Sequence, residues 1–107
     1  MITVILLHPF HLTPIQNWIF EDKPVIRIGR ATDNQVVLYS AVVSRRHVEL
    51  RGLGRNWEIL NLSPNGTYLD GKRVTQLSVV DGVIVRLACS GPLLQIRFGA
   101  IPSKSSN

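Results

Sequence analysis

The sequence predicts an all-β domain, a two-sheet β-sandwich of about eleven short strands. Short apolar runs recur along the chain, and glycine, proline and asparagine separate them, which is the pattern of strands joined by turns. No stretch keeps apolar residues three and four positions apart, so no helix is predicted. Several runs alternate apolar and polar residues, as half-buried strands do.

The predicted strands each end at a turn signal. Segment 48–51 alternates apolar and charged residues and segment 57–59 repeats the alternation, which predicts a hairpin. Asp70-Gly71 fits a two-residue type I′ turn, because both central positions of that turn require a positive φ. In chain order the strands are predicted at 3–7, 16–21, 25–28, 36–38, 48–51, 57–59, 67–69, 72–74, 76–80, 83–89 and 93–98.

Length and composition favour a single globular domain. The chain has 107 residues, which suits one domain better than two. Hydrophobic residues make up 45% and charged residues 18%, which is a folded rather than a disordered composition. We assign the domain to residues 1–101. Residues 102–107 have the polar, serine-rich composition of a linker or tail, which suggests a longer multidomain protein.

The single cysteine and the first residues of the chain give information on the cellular compartment. Cys89 is the only cysteine, so no intramolecular disulfide forms, which is compatible with a reducing compartment. It ends the apolar run 85–89 and is predicted to be a buried structural thiol. The apolar start has no basic leader and is interrupted by His8-Pro9, so neither a signal peptide nor a membrane span is predicted. We expect a cytoplasmic domain that does not insert into membranes.

The net charge of +5 suits an acidic or phosphorylated partner, but also nucleic acid or a solvated surface. The basic residues are dispersed, and the densest groups are the pairs Arg45-Arg46 and Lys72-Arg73. No long basic run of the kind found in nucleic-acid-binding arms is present. Aromatic residues are also few, which does not favour a stacking surface for bases.

Three polar clusters lie where predicted strands meet loops: Gly29-Arg30, the segment 44–47 (Ser-Arg-Arg-His) and the segment 65–67 (Asn-Gly-Thr). Glycine allows a tight strand exit, and arginine offers a planar fork of donors for phosphate or carboxylate. A serine hydroxyl donates to phosphate oxygens, and an asparagine amide pairs with a peptide main chain. We predict that the clusters meet as one binding site.

Each cluster also has an ordinary structural explanation: a surface arginine after a turn glycine, a serine–backbone turn beside a core histidine, and a hairpin turn. Ser44 and His47 are compatible with a catalytic pair. The chain has no nucleophile-elbow pattern, no evident acidic partner near that pair and no cluster of metal ligands. We therefore predict no enzymatic activity, no catalytic residue, no metal and no cofactor.

Taken together, the three clusters indicate a protein family more specifically than any one of them does alone. Gly29-Arg30, then Ser44-Arg45-Arg46-His47 beginning fourteen residues after Arg30, then Asn65-Gly66-Thr67 with Asp70-Gly71 behind it, resemble the forkhead-associated (FHA) domain family. The resemblance covers about residues 25–98. It implies an eleven-stranded β-sandwich whose loops at one end bind phosphothreonine peptides.

The resemblance also implies a role for each residue. Arg30 would hold the phosphate, with Ser44 and Arg45 adding contacts to it. Asn65 would bind the peptide main chain. Many members have a hydroxyl residue just before this asparagine, where this chain has Pro64, so Ser63 or Thr67 would replace it. Three further residues would support the site. His47 would brace the loop, and Gly29 and Gly66 would be structural.

The function predicted from the resemblance is a phosphothreonine-dependent protein–protein interaction module in Ser/Thr kinase signalling. Its partner would be a phosphothreonine-containing protein or peptide. Two alternatives remain open at the level of sequence. One is a non-catalytic adaptor or self-association domain without phosphate dependence, and the other is a basic nucleic-acid-binding domain.

Overall fold

The computed structural model describes residues 1–99, which contain eleven strands and no helix. This confirms the predicted fold class. The predicted tail 102–107 and the last two residues of the predicted domain lie outside the described residues. The strands are β1 (Ile2–Leu7), β2 (Pro14–Phe20), β3 (Val25–Gly29), β4 (Val36–Val37), β5 (Val48–Leu53), β6 (Asn56–Asn61), β7 (Thr67–Leu69), β8 (Lys72–Val74), β9 (Gln76–Ser78), β10 (Val83–Leu87) and β11 (Leu93–Phe98).

The strands form two sheets. One has six strands in the order β2-β1-β11-β10-β7-β8, and the other has five in the order β4-β3-β5-β6-β9. The pairs are antiparallel except for β3 with β4. Apolar side chains from both sheets fill one core, which includes Val4, Ile26, Leu50, Ile59, Leu87 and Leu94. The molecule is therefore the two-sheet sandwich that the sequence predicts.

The position of strand β1 explains why its sequence is apolar apart from Thr3. It lies between β2 and β11, with Ile2 and Val4 in the main core. Ile5 and Leu7 point the other way and pack with Leu93 in a second, smaller cluster. A strand buried on both faces needs a continuous apolar run, whereas a strand with one solvated face alternates.

Several strand ends differ from the predicted ones. Strands β5 and β6 extend until only Gly54-Arg55 separates them, and Gly54 takes the positive φ of 64° that this short turn requires. Strand β10 ends at Leu87, because Ala88 has a φ of 62° and leaves the extended conformation. Cys89 follows in the turn and is exposed, so the prediction of a buried thiol is wrong.

The topology brings the loops of interest to one end of the sandwich. The antiparallel pairing of β3 with β5 places the exit of β3 beside the start of β5, where Ile28 pairs with Val48. Val48 also pairs with Asn61 at the end of β6. The loops 30–35, 38–47 and 62–66 therefore meet at the same end. The predicted turn at Asp70-Gly71 is also present, with φ values of 49° and 79°.

Candidate functional site

The three polar clusters are connected through the main chain of three consecutive residues. The Asn65 side-chain amide donates from Nδ2 to the Val42 carbonyl oxygen at 2.9 Å. The Arg30 guanidinium donates from Nε to the Val43 carbonyl oxygen at 3.0 Å. The Arg30 backbone N–H donates to the Ser44 carbonyl oxygen, also at 3.0 Å. Arg30, Ser44 and Asn65 therefore lie together at the loop end, and Arg30 and Asn65 are exposed.

Gly29 allows two of these loops to touch. A Cβ atom at this position would lie 2.2 Å from the Arg45 carbonyl oxygen and 2.8 Å from that of Ser44. Backbone atoms cannot move aside as a flexible side chain does, so only glycine fits without displacing the loop. The same contact is completed by a hydrogen bond of 3.1 Å from the Ala31 N–H to the Arg45 carbonyl.

Asn34 is a site residue that sequence reasoning missed. It is buried, and its Nδ2 donates to the carbonyl oxygens of Ala31 at 2.9 Å and Arg45 at 2.7 Å. Its Oδ1 accepts from Arg46. Asparagine side chains commonly form hydrogen bonds with nearby backbone groups, so the residue type indicated a bond within the loop. The bond to Arg45 could not be predicted in this way, because it depends on tertiary structure. Asn34 thus ties loop 30–35 to the loop that carries Ser44.

The two neighbouring arginines have different surroundings. Arg46 donates from Nη2 to Asp33 at 2.7 Å, and this hydrogen bond lowers the pKa of the Asp33 carboxyl below its usual value. Arg45 is exposed, and no carboxylate of the described residues lies within ion-pair distance of it. Arg46 therefore braces the loop, whereas Arg45 remains available to a ligand.

His47 joins the Ser44 loop to the Asn65 loop from inside. The residue is fully buried. Its Nδ1 accepts the Ser44 backbone N–H at 3.1 Å, and its Nε2 lies 2.7 Å from the Gly66 carbonyl oxygen. Because Nδ1 accepts, the proton of the neutral ring lies on Nε2, which donates to Gly66. Burial lowers the pKa of His47, and the smaller effect of the Gly66 carbonyl opposes it.

Ser44 and His47 do not form a nucleophile–base pair in this arrangement. Both ring nitrogens of His47 are occupied by backbone groups. The Ser44 hydroxyl instead lies 2.6 Å from the hydroxyl of Ser63. Within residues 1–99, no group of three or more His, Cys, Asp or Glu side chains is placed to hold a metal ion.

Ser63 supplies the hydroxyl that Pro64 lacks. It is only 3% exposed, and its Oγ accepts the Asn65 backbone N–H at 3.0 Å. If its proton is directed to the Ser44 oxygen, the proton of Ser44 is free to donate to an external anion. In that orientation Ser63 would position Ser44 from behind rather than act as a second surface donor.

Thr67 requires a correction, because it does not lie on the surface with the predicted peptide-contacting residues. It is fully buried, and its Oγ1 donates to Asn61 Oδ1 at 2.9 Å. Asn61 in turn donates from Nδ2 to the Ser63 carbonyl at 2.9 Å. Thr67 is the first residue of β7 and points into the sandwich, so its hydroxyl supports loop 62–66 from beneath.

Gly66 is required at its position on two grounds. Its φ is +83°, a left-handed conformation that favours glycine. A Cβ atom there would also lie 3.1 Å from Arg73 Nε and 3.1 Å from a ring carbon of Tyr68. Its carbonyl meanwhile accepts the Ala88 N–H at 2.8 Å, in addition to the bond from His47. The absent side chain thus leaves room for Arg73 beside the loop.

The chain belongs to the FHA domain family, whose profile matches residues 26–88. Its curated relatives include the FHA domain-containing protein FhaB of Mycolicibacterium smegmatis, which is 43% identical over 68 residues. That match covers 62% of this chain and 43% of FhaB. The transcriptional regulatory protein EmbR of Mycobacterium tuberculosis is 37% identical over 75 residues, which cover 68% of this chain and 19% of EmbR. The chain thus spans less than half the length of these relatives.

Solved structures agree with the fold over nearly the whole chain. One comes from a structural and functional analysis of phosphothreonine-dependent FHA domain interactions, with a TM-score of 0.75, 27% identity and coverage of 94% of this chain and 98% of that chain. The FhaA FHA domain complexed with the intracellular domain of Rv3910 has a TM-score of 0.74, 28% identity and coverage of 91% and 100%. M. tuberculosis EmbR in complex with a low-affinity phosphopeptide has a TM-score of 0.75, 27% identity and coverage of 94% and 26%.

Proposed function

We propose that this domain is a phosphothreonine-dependent interaction module that binds phosphorylated peptides with its loop end and catalyses no reaction. The observation that carries the proposal is the convergence of Arg30, Ser44 and Asn65 on the main chain of residues 42–44. This places a guanidinium, a hydroxyl and an amide within one surface. The family membership and the phosphothreonine dependence described for a structural neighbour support the same function.

The phosphate would contact Arg30, Ser44 and Arg45. The bond from Arg30 Nε to Val43 fixes the guanidinium, while its two terminal nitrogens are left for the phosphate oxygens. The Ser44 hydroxyl, oriented by Ser63, adds a neutral donor. Arg45 adds a second positive charge from the same loop. Hydrogen bonds to a charged group contribute about 1.5–3 kcal/mol each, so two or three of them give measurable affinity.

The peptide main chain would bind Asn65. Its amide already bonds to one backbone carbonyl, that of Val42, so it is positioned for the same type of acceptor in a ligand. Its amide oxygen offers an acceptor for a peptide N–H. Because these contacts involve only backbone groups, they orient a peptide without selecting its sequence.

The relatives guide the proposal for the cellular setting. The matched segment is 43% of FhaB and 19% of EmbR, so in those proteins it is one part of a longer chain. We propose the same arrangement here, with a phosphothreonine-containing protein as the partner. A Ser/Thr kinase that uses cytoplasmic ATP would generate that ligand, and we therefore propose a cytoplasmic location for the module. The described residues include no helix that is long and apolar enough to span a membrane.

Calorimetry with matched peptides tests the function. We expect a peptide with a central phosphothreonine to bind, and the same peptide with unmodified threonine to bind at least about tenfold more weakly. Arg30→Ala should weaken binding of the phosphopeptide about tenfold to a hundredfold, because it removes the main charged donor. Its melting temperature should fall only slightly, because Arg30 is exposed and its side chain contributes one hydrogen bond, to the Val43 carbonyl oxygen.

The matched control is Arg55→Ala, which removes the same charge from the turn between β5 and β6 at the opposite end of the sandwich. It should leave phosphopeptide affinity unchanged. Equal affinity of the wild-type domain for phosphorylated and unphosphorylated peptides would overturn the proposed function. Equal weakening by both arginine variants would overturn the assignment of Arg30, because the effect would then come from net charge.

A further inference from the structure

Among the described residues, four strands lie at sheet edges, and β2 differs from the other three. An edge strand exposes main-chain N–H and C=O groups with which another chain can pair, and proteins limit this with short edge strands and charged side chains. Strand β4 has two residues, β9 has three, and β8 has three that include Lys72 and Arg73. Strand β2 has seven residues and no charged side chain, and its one proline, Pro14, is its first residue. It is therefore the one edge of the described sandwich without such protection.

The outer main-chain groups of β2 are unpaired within the described part of the chain. The strand pairs with β1 along its length, from Phe20 opposite Ile2 to Pro14 opposite Leu7. In an antiparallel pair, only every second residue directs its N–H and C=O groups to the neighbouring strand. The remaining groups of β2 point away from β1, and no other backbone group of residues 1–99 bonds to them. A row of donors and acceptors is therefore available along this edge.

The side chains of β2 add apolar surface to the same edge. Trp18 and Phe20 pack against the main core. Positions 15, 17 and 19 alternate with the core-facing ones, since successive side chains of a strand point to opposite faces. Ile15 is 58% exposed and Ile19 50% exposed. Isoleucine is favoured where a strand is flanked by other strands, so this exposure indicates a surface that another strand would cover.

The sequence of β2 is complementary to itself in an antiparallel pair. If Asn17 lies opposite Asn17 of a second copy, Ile15 lies opposite Ile19, and Gln16 lies opposite Trp18. Each exposed isoleucine then meets another isoleucine, and no like charges oppose each other within the strand. Identical chains most often associate with two-fold symmetry, because one patch then serves both partners. This register meets that condition with a single strand.

We propose that β2 is a self-association surface through which two copies of this chain pair antiparallel, with the two-fold axis at Asn17. The six-stranded sheets of the two copies would join into one continuous sheet. The axis reverses the strand direction, so the loop ends of the two copies point in opposite directions. The pairing uses none of the residues proposed to bind phosphopeptide and goes beyond that function, because one dimer could hold two phosphorylated partners at once.

Charge substitutions at the two-fold axis test this inference. Asn17 is exposed and would lie opposite itself, so Asn17→Lys and Asn17→Asp each place two like charges opposite each other. A mixture of the two variants instead places an ammonium group opposite a carboxylate. The matched control is Ser78→Lys, which adds the same charge at an exposed position of β9, the edge of the other sheet. Sedimentation equilibrium between about 10 µM and about 1 mM protein, in about 150 mM salt, measures the dissociation constants.

The expected result is a weak dimer that depends on the charge at position 17. The wild-type chain should dimerise with a Kd on the order of 100 µM, because one strand pair makes a small interface. Asn17→Lys and Asn17→Asp should each self-associate at least about fivefold more weakly, and their mixture should return to within about twofold of the wild type. Ser78→Lys should dimerise as the wild type does. If a position-17 variant does not fold, hydrogen exchange of the wild type replaces it, and the β2 amides should become more protected as concentration rises.

Three results would overturn the inference. The first is a wild-type chain that stays monomeric, with unchanged β2 protection, up to about 1 mM. The second is a dimer that both substitutions at Asn17 leave intact, or that their mixture does not restore, because another surface would then be responsible. The third is equal weakening by Ser78→Lys, which would indicate an effect of net charge. Phosphopeptide affinity should be the same in the wild type and in Asn17→Lys, so calorimetry tests the proposed function independently of this pairing.

Discussion

At the residue scale, the Ser44 hydroxyl is part of a chain of hydrogen bonds. The Asn65 N–H donates to the Ser63 hydroxyl, which lies 2.6 Å from that of Ser44. A hydroxyl has one proton to donate, so a phosphate that takes the proton of Ser44 favours the arrangement in which Ser63 donates to Ser44. Under the proposed function, ligand binding would therefore fix the direction of the whole chain of bonds, and Ser63 would contribute to binding without contacting the ligand.

Substitution of Ser63 tests this arrangement. Ser63→Ala leaves the Asn65 N–H without its acceptor and Ser44 without its partner. We expect phosphopeptide affinity to fall about tenfold and the free energy of unfolding to fall about 1–2 kcal/mol. Calorimetry and urea denaturation measure the two effects. Ser78→Ala, at an exposed position of β9, is the matched control and should change neither. Unchanged affinity in Ser63→Ala would show that Ser44 needs no orientation.

The predictions for Thr67 and Cys89 were wrong for the same physical reason. Both depend on the direction of the side chain at the point where a strand begins or ends. Thr67 follows an asparagine–glycine pair and was predicted to face a ligand, but it already belongs to β7 and points into the core. Cys89 was assigned to a buried strand that ends at Leu87. Such ends depend on tertiary contacts and on backbone angles, such as that of Ala88, which the local pattern does not encode.

At the element scale, His47 is the main connection between loops 38–47 and 62–66. Its ring links the Ser44 N–H to the Gly66 carbonyl, and its backbone bonds to Ile28 at 2.9 Å and to Leu62 at 2.8 Å. The loops that hold the predicted phosphate and main-chain contacts are thus fixed relative to each other. A protonated ring has no acceptor for the Ser44 N–H, so protonation would break one of these links.

The pKa of His47 predicts the pH dependence of stability. Burial lowers it below its ordinary value of 6.5, so the unfolded chain binds a proton more readily than the folded one. The contribution of His47 to stability is therefore fully present above about pH 6.5 and decreases as the pH falls below that value. One proton gives a slope of at most about 1.4 kcal/mol per pH unit. Urea denaturation from about pH 8 to about pH 5 measures it.

His47→Gln should be less stable than the wild type at about pH 8 and should lose most of this slope, whereas the exposed control His11→Gln should keep it. Asp33 does not interfere, because the lowered pKa of its carboxyl affects stability only as the pH falls below its ordinary value of 3.8. If His47→Gln does not fold, NMR titration of the wild-type ring gives the same information. A His47 ring that titrates at or above 6.5 in the folded protein would contradict the prediction.

The strands could be predicted more completely than the loops that join them. Alternation alone identified β5 and β6, because one face of each strand lies against the core. The loops are held by contacts between residues far apart in sequence, such as Asn34 with Arg45 and Ser63 with Ser44. Side-chain types at positions 30, 44 and 65 indicated what the site could bind. The support from Asn34, and the contact of Ser63 with Ser44, became visible only when the loops were in contact.

At the scale of the whole molecule, the distribution of charge matters more than the net charge of +5. On the outer face of the five-stranded sheet, Glu49 lies 3.6 Å from Arg27 and 2.9 Å from Arg51. Among the described residues, Arg30, Arg45 and Arg73 have no such partner and belong to the loop end or to β8 beside it. Lys23 and Arg55 are also unpaired, but they lie in turns at the opposite end of the sandwich. Three unpaired arginines thus lie close to the three polar clusters, which suits a small anionic ligand.

Ionic strength distinguishes such a ligand from a nucleic acid. A protein that neutralises several DNA phosphates loses orders of magnitude in affinity between about 50 and 200 mM salt. We expect the domain to bind a labelled duplex of about 20 base pairs weakly at the lower concentration and not measurably at the higher one. Phosphopeptide affinity should fall by less than about fivefold, because its contacts are short, directional hydrogen bonds to one group. Fluorescence anisotropy measures both ligands, with Arg30→Ala as the test variant. Duplex binding that survives at high salt and is unaffected by Arg30→Ala, while phosphopeptide binding is absent, would favour a nucleic-acid partner over the loop-end function.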